Sequence, residues 1–367
     1  MSQSSHMPRS AWVFPALAVL LFAATSIPSL GIGFTRSPAG LVFAAVLLVI
    51  LFGTVFAAVH HAEVIAERVG EPFGTLLLTL SVTIIEVSLI ATIMLGEDGV
   101  PTLARDTVFA VVMIVCNGLV GICIFTGGIR YREQDFQVSG ANIYLSVLIV
   151  LATITLILPN YTQTAPGPVY SASQLAFVSV LTVILYAVFL YIQAIRHRDY
   201  FIVGLDDEGE DHKPAGGTML MMSGGLLLAS LVGVVLLAKK FSLVVDAGAA
   251  AIGAPPAFAG LVVALLILLP ESVAALGAAR KNELQKSLNL ALGSSLATIG
   301  LTVPAVAIAT YILDKPLVLG LETRDTMLLV MTMLVSIVTY GDGRTNMMFG
   351  LVHLVVFAMY VFMVLVP

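Results

Sequence analysis

Apolar residues run along the chain in blocks of about twenty, broken by short clusters of Gly, Pro and charged residues. A block of about 20 apolar residues wound as a helix crosses a hydrocarbon core of about 30 Å. The blocks predict eleven spanning helices, near residues 12–30, 40–62, 73–95, 106–127, 142–159, 172–195, 217–238, 257–279, 287–312, 325–341 and 346–366. The first block follows Arg9 and has the outline of a secretion leader. It is longer than a leader's apolar region, and Ser26-Ile27-Pro28-Ser29 is a poor cleavage site, so it reads as a span. The predicted class is an all-α polytopic membrane protein.

Residues 196–216 (RHRDYFIVGLDDEGEDHKPAG) form the one sizeable polar interruption, and they separate two sets of five spans. Five is odd, so the two sets must lie upside down to one another, with the first span outside the repeat. Two breaks support the pairing. Gly70-Glu71-Pro72 and Gly253-Ala254-Pro255 each open an apolar block and stand 16 and 18 residues ahead of a single carboxylate, Glu86 and Glu271. The expected organisation is residues 1–39 with the first helix, 40–195 as the first five-helix repeat, 196–216 as an acidic cytoplasmic linker and 217–367 as the second repeat. Lys and Arg number eleven in the loops on the N-terminal side against six on the other. The excess of positive charge on cytoplasmic loops then puts the N-terminus in the cytoplasm and the C-terminus outside.

Composition agrees with this pattern. The 367 residues are 59% hydrophobic and 11% charged, with a mean hydropathy of +1.04, whereas soluble domains carry roughly 25% charged residues. Much of the net charge of −5 sits in the linker, so it points to no nucleic-acid partner. Cys116 and Cys123 are the only cysteines. Their spacing puts them on one face of one helix, where they cannot form a disulfide and read as buried thiols.

A charge at the bilayer midplane costs at least about 2.5–3.5 kcal/mol, so an intramembrane acid is a site hypothesis by default. Thr79, Thr83 and Glu86 fall at i, i+4 and i+7, one helix face with two hydroxyls and a carboxylate, flanked by Ser81 and Ser88. In the second half Pro270 precedes Glu271 and leaves the Leu266 carbonyl without its helical donor, beside the acid. Hard cations take several oxygens. The helix after each glutamate offers more: Asn117 within VVMIVCNGLVG, and Ser294 and Ser295 within NLALGSSLATIG. The alternative for these hydroxyls and amides is bonding to their own backbone or to a neighbouring helix. His60, His61, Glu63 and Glu67 lack metalloprotease spacing and read as a solvated helix end. The acidic run Asp206, Asp207, Glu208, Glu210 and Asp211 lacks Ca²⁺-loop spacing and reads as a solvated loop able to concentrate cations at a cytoplasmic mouth. No motif of an intramembrane enzyme is present, and no cofactor is expected.

Four stretches together resemble the cation/proton exchangers of the calcium:cation antiporter superfamily, in particular their bacterial ChaA-type branch. They are AEVIAERVGEPFGTLL (62–77), LYAVFLYIQAIRH (185–197), LALGSSLATIGLTVP (290–304) and GDGRTNMMFGLVHLVVFAMYVF (341–362). The resemblance implies exchange of cytoplasmic Ca²⁺ for protons, with some Na⁺ or K⁺ exchange. It also implies ion-binding glutamates at the positions of Glu86 and Glu271. Val82 and Thr83 stand where the family has Gly and Asn, Ile267 and Leu268 replace that pair in the second half, and Ala297 stands at a Gln position. These departures remove amide oxygens, which fits a loosened calcium preference. The remaining alternatives are a Na⁺ or K⁺/proton antiporter with little calcium transport, and a passive cation channel.

Overall fold

The computed structural model describes residues 8–27, 33–35, 37–70, 73–94, 100–201, 217–312 and 316–367. Eleven long helices occupy most of them. They are α1 (Arg9–Ser26), α2 (Pro38–Val69), α3 (Phe73–Met94), α4 (Leu103–Tyr131), α5 (Val138–Tyr161), α6 (Ala172–Arg196), α7 (Gly217–Ile252), α8 (Ala257–Arg280), α9 (Leu284–Ile312), α10 (Thr323–Tyr340) and α11 (Met347–Leu365). Ten are long and apolar enough to cross a membrane. α10 opens with Arg324 and Asp325, which lower its mean hydropathy. Its crossing follows from a strand pair: β1 (Glu133–Asp135), after α4, is antiparallel to β2 (Arg344–Asn346), after α10. Paired strands lie at one face, so an even number of helices cross between them; five of the six qualify by length and hydropathy, and α10 is the sixth.

The helices group into two compact units. α1, α2, α3 and α7 form one; α4–α6 and α8–α11 form the other. In the first, α2 and α7 are an antiparallel spine, since Ser37 and Leu41 at the start of α2 line a groove with Val244 and Ala251 near the end of α7. α1 docks on this spine for a reason visible in its sequence. Pro15 has no N–H, which frees the Ala11 carbonyl four residues earlier, and His61 Nε2 donates to that oxygen at 2.8 Å. Thr54 Oγ1 adds a bond to Phe14 O at 3.2 Å. His61 is therefore an interior histidine that ties α2 to α1 through Nε2, which corrects the expected solvated helix end at that position, while Glu63 and Glu67 are exposed as expected.

Both Gly-x-Pro breaks are real stops. Gly70 closes α2 at φ +77° and Gly253 follows α7 at φ +66°, backbone positions that glycine adopts without a Cβ penalty. Between residue 238, the expected end of the seventh span, and Gly253 there is no such stop. α7 therefore continues to Ile252 through Lys239 and Lys240, with Phe241 and Val245 still buried. A helix of 36 residues is about 54 Å long and outreaches the hydrocarbon core. The expected boundary marks where charge begins, and the helix goes on beyond it.

The second unit packs by close backbone approach. A Cβ on Gly350 of α11 would lie 2.5 Å from Phe125 N and 2.8 Å from Gly121 O of α4, the small-residue contact that membrane helices use to come together. Cys116 and Cys123 are free and buried in this core. At one end of α4, Thr102 donates to Asp106 Oδ2 and Arg105 Nε to Asp106 Oδ1, both at 2.8 Å, while Arg105 Nη1 donates to Gly320 O at 3.1 Å. Arg105, expected as a loop charge, is instead buried in the first turn and ties down the segment before α10.

Candidate functional site

α3 and α8 carry the two intramembrane carboxylates, and both helices are built inside out relative to a soluble amphipathic helix. On α3 the apolar residues Leu80 and Ile84 are 44% and 46% exposed, whereas Thr83 is 8% and Glu86 1% exposed. On α8 Leu265 and Leu269 are 43% and 37% exposed. In each helix the outward pair stands six and two residues ahead of the glutamate. The same stripe thus faces outward in both halves, and each acid lies off it. Glu271 and Thr79 are half-buried.

Serine hydroxyls on α3 satisfy themselves locally. Ser81 donates to Leu77 O at 2.9 Å and Ser88 to Ile84 O at 2.6 Å, the back-bonding expected of a hydroxyl in a helix. α8 continues as one helix through Pro270.

Within the second unit, α8 runs parallel to α4. A Cβ on Gly260 would lie 2.8 Å from Asp106 C at one end, and at the other Tyr131 Oη donates to Arg280 O at 2.8 Å. Glu271 is eleven residues past Gly260 and Asn117 eleven past Asp106. The acid therefore stands at the height of Asn117. That height is marked by a π-helical turn, Ile114–Leu119, against which α8 packs. Such turns insert a residue into an α-helix and recur at functional sites. α9 has its own π turn, Thr298–Thr302, with both threonines buried.

The side chains at these turns behave differently. Asn117 is fully buried, donates to Thr332 Oγ1 at 2.9 Å and accepts from His353 Nδ1 at 3.1 Å. Its amide oxygen is therefore turned to α11. On α9, Ser295 is buried and donates to Leu292 O of its own helix at 2.9 Å, while Ser294 is half-buried. His353, Thr332 and Thr339 were not among the sequence candidates. A lone histidine inside the last apolar block, and two threonines seven residues apart on one face of α10, are the signals that point to them. A cavity of about 1360 Å³ opens elsewhere in the second unit, beside Arg105, Asn160 and Glu322, and neither Glu86 nor Glu271 lines it. The acidic run Asp206, Asp207, Glu208, Glu210 and Asp211 lies outside the described residues.

A family model described as sodium/calcium exchanger protein matches residues 39–195 and 222–366. The chain is 42% identical to the putative ionic transporter y4hA of Sinorhizobium fredii, over 100% of this chain and 98% of that protein. It is 35% identical to the sodium-potassium/proton antiporter ChaA of Escherichia coli, over 95% of this chain and 94% of that protein. Among solved structures, native YfkE superposes with a TM-score of 0.73 at 19% identity, covering 97% of this chain and 100% of that one. A second structure of YfkE, selenium-substituted, is described as a Ca²⁺/H⁺ antiporter. The likeness to YfkE shows a shared fold.

Proposed function

Because the chain belongs to the sodium/calcium exchanger protein family, we propose that it is a secondary transporter exchanging cytoplasmic Ca²⁺, with some Na⁺ or K⁺, for protons by alternating access. Glu86 and Glu271 hold the ions in this reading, with Thr79, Thr83, Ser294 and Ser295 as further oxygens. The observation that carries it is the matched pair of spanning helices, each with an outward apolar stripe and one acid set off it. Asn117 enters as a residue that positions the site, since its oxygen is already bonded.

An empty site with two carboxylates is costly to carry through a low-dielectric interior, whereas a protonated or cation-loaded one is close to neutral. The protein therefore changes face loaded with one or the other, and coupling follows from that asymmetry. The two five-helix sets, 40–195 and 217–367, are inverted repeats that rock against each other about the bound ion. The N-terminus is cytoplasmic and the C-terminus external, by the distribution of Lys and Arg. Discharge of both acids by one Ca²⁺ moves two protons and no net charge.

A monovalent reading has its own support in the name of the Escherichia coli relative and in the amide oxygens missing at Val82, Thr83, Ile267, Leu268 and Ala297. Everted membrane vesicles separate the two. Dissipation of a respiratory pH gradient on adding Ca²⁺ supports the calcium reading; a response to Na⁺ or K⁺ alone supports the other. Conduction without proton movement removes both in favour of a channel.

A further inference from the structure

Four buried polar side chains of the second unit form a chain that the exchange chemistry does not use. Asn117, Thr332 and His353 are 0% exposed and Thr339 1%, and they come from α4, α10 and α11. The bonds run Thr339 Oγ1 to His353 Nε2 at 2.9 Å, His353 Nδ1 to Asn117 Oδ1 at 3.1 Å, and Asn117 Nδ2 to Thr332 Oγ1 at 2.9 Å. Their direction is fixed from the Thr332 end. Thr332 Oγ1 lies 2.8 Å from Leu328 O, so its proton is used there and it accepts from Asn117. The amide oxygen then faces His353, and an oxygen can only accept, so Nδ1 carries the imidazole proton. At the other end, Nε2 of a neutral Nδ1–H imidazole can only accept, so the Thr339 hydroxyl donates to it.

We propose that His353 is a positioning residue of the exchange site: as its Nδ1–H tautomer, braced by Thr339, it turns the Asn117 amide toward α10 and α11 and so fixes the π turn of α4 at the height of Glu271. The inference rests on the exchange reading above for what the site does, and on the bonds and the parallel packing of α4 and α8 for how it is held. The close contact of Gly350 with Gly121 and Phe125 brings α11 near enough for the imidazole to reach the amide. Bonds between membrane helices add little stability on average, so geometry is the stronger reason for burying four polar groups here.

Two near-isosteric variants divide the imidazole. His353→Asn places an amide nitrogen near the Nδ1 position and keeps the bond to Asn117; His353→Gln reaches the Nε2 position and keeps only Thr339. Support for a metal site from its outer partners is commonly worth 10- to 100-fold in affinity, so His353→Gln is expected to raise KM for the transported cation roughly tenfold. His353→Asn stays within about twofold of the parent, and the two variants, each losing one of the two imidazole bonds, lower the thermal midpoint by the same small amount, so the difference in KM between them is not one of stability. Thr332→Val, which removes the far acceptor, raises KM as the Gln variant does, and Thr332→Ser restores it. Equal shifts of KM in the Asn and Gln variants, or none in either, overturn the proposal. A second readout is independent of transport. The ¹⁵N imidazole signals present in the parent and absent from His353→Asn must be those of an Nδ1–H tautomer, and an Nε2–H tautomer overturns the inference even where exchange is intact. If the parent moves no protons against any cation, the exchange reading falls while the tautomer measurement still decides how His353 is held.

Discussion

α4 and α9 are each 29 residues long, each follows a helix that carries one of the two glutamates, and each opens into a π turn near its middle. Asn117 and Ser295, near the two turns, bond in different directions, although α9 also reaches another helix through Gln285, which accepts from Gln137 N at 2.7 Å. Asn117 of α4 reaches out to α10 and α11 and closes a chain of bonds among three helices. Ser295 of α9 bonds back to the Leu292 carbonyl of its own helix, and Gly300 lets Tyr186 of α6 come close, since a Cβ there would lie 2.8 Å from Tyr186 Cβ. On α4 the π turn is held by hydrogen bonds to two other helices; on α9 the close approach of Tyr186 to Gly300 is part of what holds it.

The comparison can be broken by separating α4 from α11. Gly350→Ala puts a methyl group against backbone atoms that cannot give way, an overpacking cost of about 1–3 kcal/mol. It also pulls His353 from Asn117, so a fall in the thermal midpoint is expected together with a raised KM. Next comes Asn117→Leu, which removes two bonds between helices; at about 0.6 kcal/mol on average and up to about 1.7 each, the loss is of order 1–3 kcal/mol. Ser295→Ala on α9 removes one local bond whose acceptor stays in the helix, so a change of about 0.5 kcal/mol or less is expected. Equal losses for Asn117→Leu and Ser295→Ala in the same detergent would erase the distinction between the two helices. Least affected is the outward stripe: Leu80→Ile and Leu265→Ile leave both midpoint and transport within about 0.5 kcal/mol of the parent.

Much of this molecule is written in its one-dimensional pattern. The apolar blocks mark eleven helices because hydrocarbon demands length and allows little else. Gly70 and Gly253 mark real stops because only a positive φ turns the chain there. What the pattern could not show is what depends on distant partners. Asn117 meets Thr332 across 215 residues and His353 across 236, so no local spacing reveals that its amide is already bonded. The π turns are equally hidden, because one inserted residue changes neither composition nor apolar periodicity. The end of α7 was misplaced because two lysines look like a boundary, although a helix needs a breaker to stop and none precedes Gly253. The compact units also depart from chain order, with α7 grouped with α1–α3.

The central claim is that Glu86 and Glu271 carry the ions. Everted vesicles with matched amounts of folded parent, Glu86→Gln and Glu271→Gln protein test it in one experiment, read as the cation-dependent collapse of a pH gradient. The account predicts that each single substitution abolishes the response to Ca²⁺, Na⁺ and K⁺ alike. Parent-like exchange by either variant contradicts it.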